Sequence, residues 1–200
     1  TPEDGATLDR YLDTLAAITD SALTRDQQQA YWVNLYNALT VRLILEHPDV
    51  ASIRQIKSGF FSIGPWARDI IAVEGVVLTL DDIEHRILRP LYQDPRVHFA
   101  VNCASLGCPN LQPLPFTADN LEELYESGAR AFINHSRGAE IRGDVLTLSS
   151  IFKWFRDDFG DSRSERLGWL AGFAEPALAE RLRDWDGRVR YAYDWDLNAP

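Results

Sequence analysis

Methionine is absent from the 200 residues, lysine occurs only as Lys57 and Lys153, and the only cysteines are Cys103 and Cys108. The chain opens Thr1-Pro2-Glu3-Asp4-Gly5 with no initiator, so we expect a mature or trimmed chain whose upstream targeting segment, if there is one, is not in view. No run of about 18 apolar residues occurs, which excludes membrane insertion by a helix. Basic residues are outnumbered: 20 Lys and Arg against 30 Asp and Glu give a formal charge of -10 and a pI near 4.8. That balance excludes nucleic acid as a partner, because neutralising phosphates needs clustered cations. It also disfavours anionic membrane surfaces. A Walker loop, a G-x-G-x-x-G pattern, a C-x-x-C pair and the usual zinc spacings are all missing, so no cofactor and no metal are expected.

What is present is apolar mass. A hydrophobic share of 46% with 11% aromatics is enough to bury a substantial core, and we expect one domain over residues 1–200. Chemistry-bearing residues concentrate in Arg96-Val-His-Phe-Ala-Val-Asn-Cys-Ala-Ser-Leu-Gly-Cys-Pro109. The alternation of Val97, Phe99 and Val101 predicts a buried central strand with His98 and Asn102 on its other face. Cys103 falls in register with the apolar set. A strict strand therefore points His98 and Cys103 apart, and a dyad between them needs a bulge or an early strand end. The C-x4-C spacing fits a disulfide, a reactive thiol with a neighbour, or two reduced bystanders.

Around this centre the pattern is mostly helical. Residues 6–18 read as an amphipathic helix through Leu8, Tyr11, Leu12, Leu15 and Ile18. Thr24 with Gln27 predicts a capping box for a helix running to Glu46 and closed by His47-Pro48. That helix is apolar nearly all round and should be central, with Asn34 and Asn37 sharing one face. Buried amides need partners, so these two either pin a neighbouring loop, the reading favoured about two to one, or point into a site. The loop Gly59-Phe-Phe-Ser-Ile-Gly-Pro-Trp66 is too apolar to stand free and should pack or cover a pocket, with Trp66 a candidate binding residue.

Val73-Glu-Gly-Val-Val-Leu-Thr-Leu80 repeats as Ile141-Arg-Gly-Asp-Val-Leu-Thr-Leu148. Each copy predicts a hairpin turning at Gly75 or Gly143, then a helix capped by Thr79 or Ser149. Two copies do not make a solenoid. They diverge after the shared isoleucine, where the first reads Glu84-His85-Arg86 and the second Phe152-Lys153-Trp154. Glu84 and His85 are a candidate base and carboxylate, although neighbours on an α-helix point about 100° apart; the plainer reading is a surface Glu and a flanking His. Thr117 predicts the start of a helix that ends near His135, where the imidazole complements the helix dipole. Two short helices broken at Glu175-Pro176 follow. The aromatic run Val189–Asn198 should return to the sheet or cover the core.

Several of these segments together resemble the family known as the domain of unknown function 547. They are Tyr31-Trp-Val-Asn-Leu-Tyr-Asn-Ala38, Leu80-Asp-Asp-Ile-Glu-His-Arg-Ile-Leu88, Val97–Pro109, Leu146-Thr-Leu-Ser-Ser-Ile-Phe-Lys-Trp-Phe155 and Tyr193-Asp-Trp-Asp-Leu-Asn198, in order through nearly the whole chain. The resemblance implies no settled activity. It does imply an extracytoplasmic location, periplasmic or secreted, since bacterial members are often exported while plant members join the domain to a coiled coil. A kinship to papain-like or transglutaminase-like thiol enzymes is analogy at the level of fold. The order here, His85 and His98 before Cys103, departs from the papain-like order.

Two functional readings follow. In the first, Cys103 is a nucleophile acting on a peptide or small-molecule amide, activated by His85 or secondarily by His98. Glu84 or Asn102 orients the base, Ala104-Ser105-Leu106 forms a helical turn whose amides face an oxyanion, and Asn34 and Asn37 are further donors. In the second, Cys103 and Cys108 form a disulfide that clamps the loop of a non-enzymatic binding or scaffold domain, contributing about 2 kcal/mol by loop entropy. The architecture expected is α+β, with a small, mainly antiparallel sheet of two hairpins plus the central strand, packed against several helices. Oligomeric state is not legible.

Overall fold

The structure, a computed structural model, describes residues 2–59 and 62–198; Phe60 and Phe61 of the aromatic loop lie outside them. Helices dominate and two small sheets accompany them, an α+β architecture as expected. Helix α1 spans Pro2–Ala16 and α2 spans Arg25–Glu46. The capping box at the start of α2 forms in full: the Thr24 hydroxyl accepts from the Gln27 amide at 3.4 Å, and the Gln27 side chain accepts from the Thr24 amide at 2.9 Å. Val33, Leu35 and Leu39 are wholly buried, as an all-round apolar helix requires. Tyr31 ties α2 to α1 by donating to the Leu15 carbonyl.

Both hairpins form. Strands β1 (Ile71–Val73) and β2 (Val76–Leu78) pair antiparallel, as do β3 (Ala139–Arg142) and β4 (Val145–Ser149). Gly75 and Gly143 take the turns at φ +78° and +60°, a region open to glycine at little cost. The hairpins lie in two separate sheets, and the third strand of the second sheet is β5 (Arg188–Ala192), which pairs parallel to β4 with Val145 opposite Arg188.

Residues 97–101 are not the expected central strand. Pro95–Phe99 forms a 3-10 helix, with proline in its first turn and the Asp94 carboxylate accepting the Arg96 amide at 2.9 Å. Val97, Ala100 and Val101 pack into one apolar cluster, with α1, α2 and the first hairpin; Phe99 packs into a second, with the later helices and β3–β4. The segment is thus the seam between two cores. Burial on every side, not alternation on one face, is what placed Val97, Phe99 and Val101 there.

After the first hairpin comes a π-helix, Asp82–Tyr92. Helix α3 (Leu121–Ile133) starts later than expected because Thr117 and Asn120 exchange hydrogen bonds ahead of it. The helix after the second hairpin is broken at Phe155 into α4 (Ile151–Trp154) and α5 (Arg156–Phe159). Helices α6 (Arg163–Phe173) and α7 (Pro176–Arg183) are separated at Glu175-Pro176 as expected. Beyond β5 the chain crosses the cysteine loop: the Leu106 and Gly107 amides donate to the Asp196 and Asp194 carbonyls, both at 2.8 Å. Among the described residues, no helix is long and apolar enough to cross a membrane.

Candidate functional site

A cavity of about 280 Å³ opens where the π-helix, the seam, α4 and the C-terminal segment meet. Cys103 and Cys108 line it, and so do Glu84, His85, His98 and Trp66 of the residues singled out from the sequence. The strand register that set His98 and Cys103 on opposite sides does not exist, so one cavity receives both.

Cys103 and Cys108 are joined by a disulfide, their Cα atoms 6.3 Å apart, and no free cysteine remains. The loop between them is held from several sides. The Cys103 amide donates to the Cys108 sulfur at 2.9 Å, and the Tyr193 hydroxyl lies 3.0 and 3.1 Å from the two sulfurs while accepting from Ser105 at 2.9 Å. Burial, opposed by the Ser105 bond, pushes the Tyr193 phenol up to about 12. The expected helical turn over Ala104–Leu106 is absent; Ala104 sits at φ +59°, a strained region for a residue with a Cβ. Asn102 stabilises that turn, accepting from the Ala104 amide and donating to the Pro109 carbonyl, both at 2.6 Å. Its amide therefore braces the loop and orients neither histidine.

Asn34 and Asn37 do not reach the cavity. Asn34 exchanges two hydrogen bonds with the Phe116 backbone, and Asn37 donates to Ala100 and accepts from the Asn102 amide. They pin the two loops that flank α2, the local satisfaction that buried amides normally find.

Glu84 and His85 have unlike surroundings. At the start of the π-helix, Thr79 and Asp82 bond reciprocally at 2.7 to 3.0 Å, and these bonds hold the Asp82 carboxyl below its usual range. One step on, Glu84 is only 8% exposed and accepts from the Tyr36 hydroxyl at 3.2 Å. Burial and this carboxylate push the Tyr36 phenol far above its ordinary value. His85 is partly exposed, with Nε2 3.7 Å from Asp81 and Nδ1 3.2 Å from Arg89. Burial raises the Asp81 carboxyl, an effect the nearby His85 opposes. Glu84 and His85 do not bond each other, consistent with their divergent directions on the helix.

His98 makes a short contact to a carboxylate. Its Nε2 is 2.6 Å from Asp158, which also accepts two hydrogen bonds from Arg89 at 2.7 and 2.9 Å. Burial alone would raise the Asp158 carboxyl, but the bonds from His98 and Arg89 prevail and hold it well below the usual carboxylate range. The imidazole stacks on Phe155 at 4.1 Å, and its Nδ1 faces Glu84 at 3.8 Å. Asp158, Tyr36 and Tyr193 escaped the sequence reading. Asp158 lies beyond Phe152-Lys153-Trp154 in a stretch that no pattern singled out, Tyr36 in a helix apolar nearly all round, and Tyr193 in a run legible chiefly as aromatic. Among the described residues, no group of three or more His, Cys, Asp or Glu is placed to hold a metal ion.

Residues 21–133 match the family model described as "Protein of unknown function, DUF547". No curated protein and no solved structure matches the chain. The match covers more than half of the 200 residues, and the chain belongs to that family.

Proposed function

We propose that this member of the DUF547 family is a non-enzymatic ligand-binding domain of an oxidising, extracytoplasmic compartment, in which the Cys103–Cys108 disulfide clamps one wall of the binding cavity. The disulfide is the observation that carries the reading, because a bridged sulfur is not a nucleophile. Cystine is the ordinary state of paired cysteines in secreted proteins and rare in reducing cytosol. The aromatic lining of the cavity, with a few polar groups converging on it, is the usual make-up of a small-molecule site. The deciding experiment is a free-thiol count on protein purified without reductant, with intact mass after alkylation. No label and a mass two protons below the reduced chain are expected. One fast-reacting thiol mapped to Cys103 would overturn the reading.

One observation favours a second reading. His98 shares the cavity with Cys103, and its Nε2 is already held by a carboxylate, leaving Nδ1 free toward Glu84. Reduction of the bridge by an external dithiol would set a thiol in the same cavity as an oriented imidazole, two of the groups that a cysteine hydrolase acting on a peptide or amide requires. On that reading His98, not His85, is the base.

A further inference from the structure

We infer that the cavity recognises a small organic ammonium ion. The inference rests on the binding reading and names its ligand class. Three features of the lining carry it.

The first is the arrangement of the rings. Trp66 meets Trp195 at 5.8 Å and 66°, Tyr193 meets Trp195 at 4.6 Å and 53°, and Trp154 meets Tyr193 at 4.8 Å and 57°. Rings inclined to one another present faces in several directions and form part of a box, with the Arg54 guanidinium already over the Trp195 ring at 5.1 Å. Aromatic faces carry the negative end of the ring quadrupole, and a cation within about 6 Å of several of them is attracted by each.

The second is a carboxylate on the cavity wall. Glu84 is 8% exposed, and among the described residues its hydrogen bond is the one Oε2 accepts from Tyr36. Its Oε1 lies 3.8 Å from His98 Nδ1, too far for a hydrogen bond. Asp81 adds a second carboxylate, whose nearest base is His85 at 3.7 Å. Among the described residues no Lys or Arg lines the cavity, and nearby Arg89 is matched by Asp158. A carboxylate on the wall of a cavity is stabilised by a cation or by further hydrogen bonds, and a ligand ammonium would offer Glu84 Oε1 both.

The third is size. About 280 Å³ is at the small end of ligand sites, room for a compact molecule or the head of a longer one. An anion would meet the Glu84 and Asp81 carboxylates, and a neutral apolar ligand would desolvate Glu84 while giving it no new partner.

The test uses calorimetry and tryptophan fluorescence on the disulfide-bonded chain, with choline, its neutral isostere carrying a quaternary carbon in place of nitrogen, and acetate as probes. Choline is expected to bind at least about tenfold more tightly than the isostere, and acetate not at all. Glu84→Gln keeps an acceptor for Tyr36 and should weaken choline about tenfold while leaving the isostere unchanged. Asp81→Asn, at a more exposed position, should give a loss in the same direction and decides the matter if the Glu84 variant does not fold. Equal binding of choline and isostere, or a preference for acetate, would overturn the ammonium inference and leave the binding reading standing. Silence with every probe would overturn the ammonium inference, and silence together with a reactive Cys103 thiol would overturn both.

Discussion

Asp158 receives hydrogen bonds from the buried His98 Nε2 and from the partly exposed Arg89 guanidinium. Its folded-state pKa is depressed, so the stability it contributes is fully present above the unfolded carboxyl value near 4 and is lost as pH falls toward the folded value. Asp158→Asn should therefore cost about 2 kcal/mol at pH 7, the scale of charged hydrogen bonds, and progressively less below about pH 4. Urea unfolding of both proteins at pH 7 and pH 3 measures this, and a difference that does not shrink with acid would remove Asp158 from the role. The same residue shows what was legible. Both cysteines, Glu84, His85 and His98 stand out locally because their side chains are rare in an apolar setting. Asp158, 60 positions from His98, and Tyr193, 85 from Cys108, carry no such signal, since their significance exists only once the chain has folded.

At the level of elements, the C-terminal segment closes the cysteine loop through backbone hydrogen bonds, and Gly107 is what lets it approach. A Cβ there would meet the Asp194 carbonyl oxygen at 2.8 Å, the Asp194 nitrogen at 2.9 Å and the Tyr193 ring at 3.0 Å. Backbone atoms cannot rotate away, so Gly107→Ala should cost about 1–3 kcal/mol, the overpacking range, and shift the fluorescence of Trp195 as the segment lifts. Gly168, inside α6 with nothing near its missing Cβ, is the control: Gly168→Ala should stabilise by about 0.5–1 kcal/mol. Equal thermal midpoints for the two variants would show that the segment does not rest on Gly107. The elements that sequence identified were those with local punctuation: the capping box at Thr24, the turns at Gly75 and Gly143, the break at Pro176. The seam at 95–101 was misread because residues pressed between two cores are apolar on every side, and an alternation within them says nothing about a strand. The parallel pairing of β4 with β5 joins residues about 40 apart in sequence, beyond any local pattern.

For the whole molecule, the question is whether the disulfide is a brace or a masked nucleophile. The bridge closes a short loop, and its removal should cost about 2 kcal/mol on the loop-entropy model. That loss need not unfold the chain. The loop is also tied to α2 through Asn37 and Asn102, and to the C-terminal segment through the Leu106 and Gly107 amides. A Cys103→Ser, Cys108→Ser double variant should accordingly remain folded, unfold at lower denaturant with a slope no smaller than that of the bridged chain, and still bind choline, more weakly. Wild type under reductant should match it. If instead reduction of the wild type switches on hydrolysis of peptide or amide substrates, and Cys103→Ser alone abolishes it with the fold intact, the bridge is a mask and His98 with Asp158 is the machinery behind it. The two outcomes differ in sign, loss of a brace against gain of a reaction, so one pair of proteins measured with and without reductant separates them.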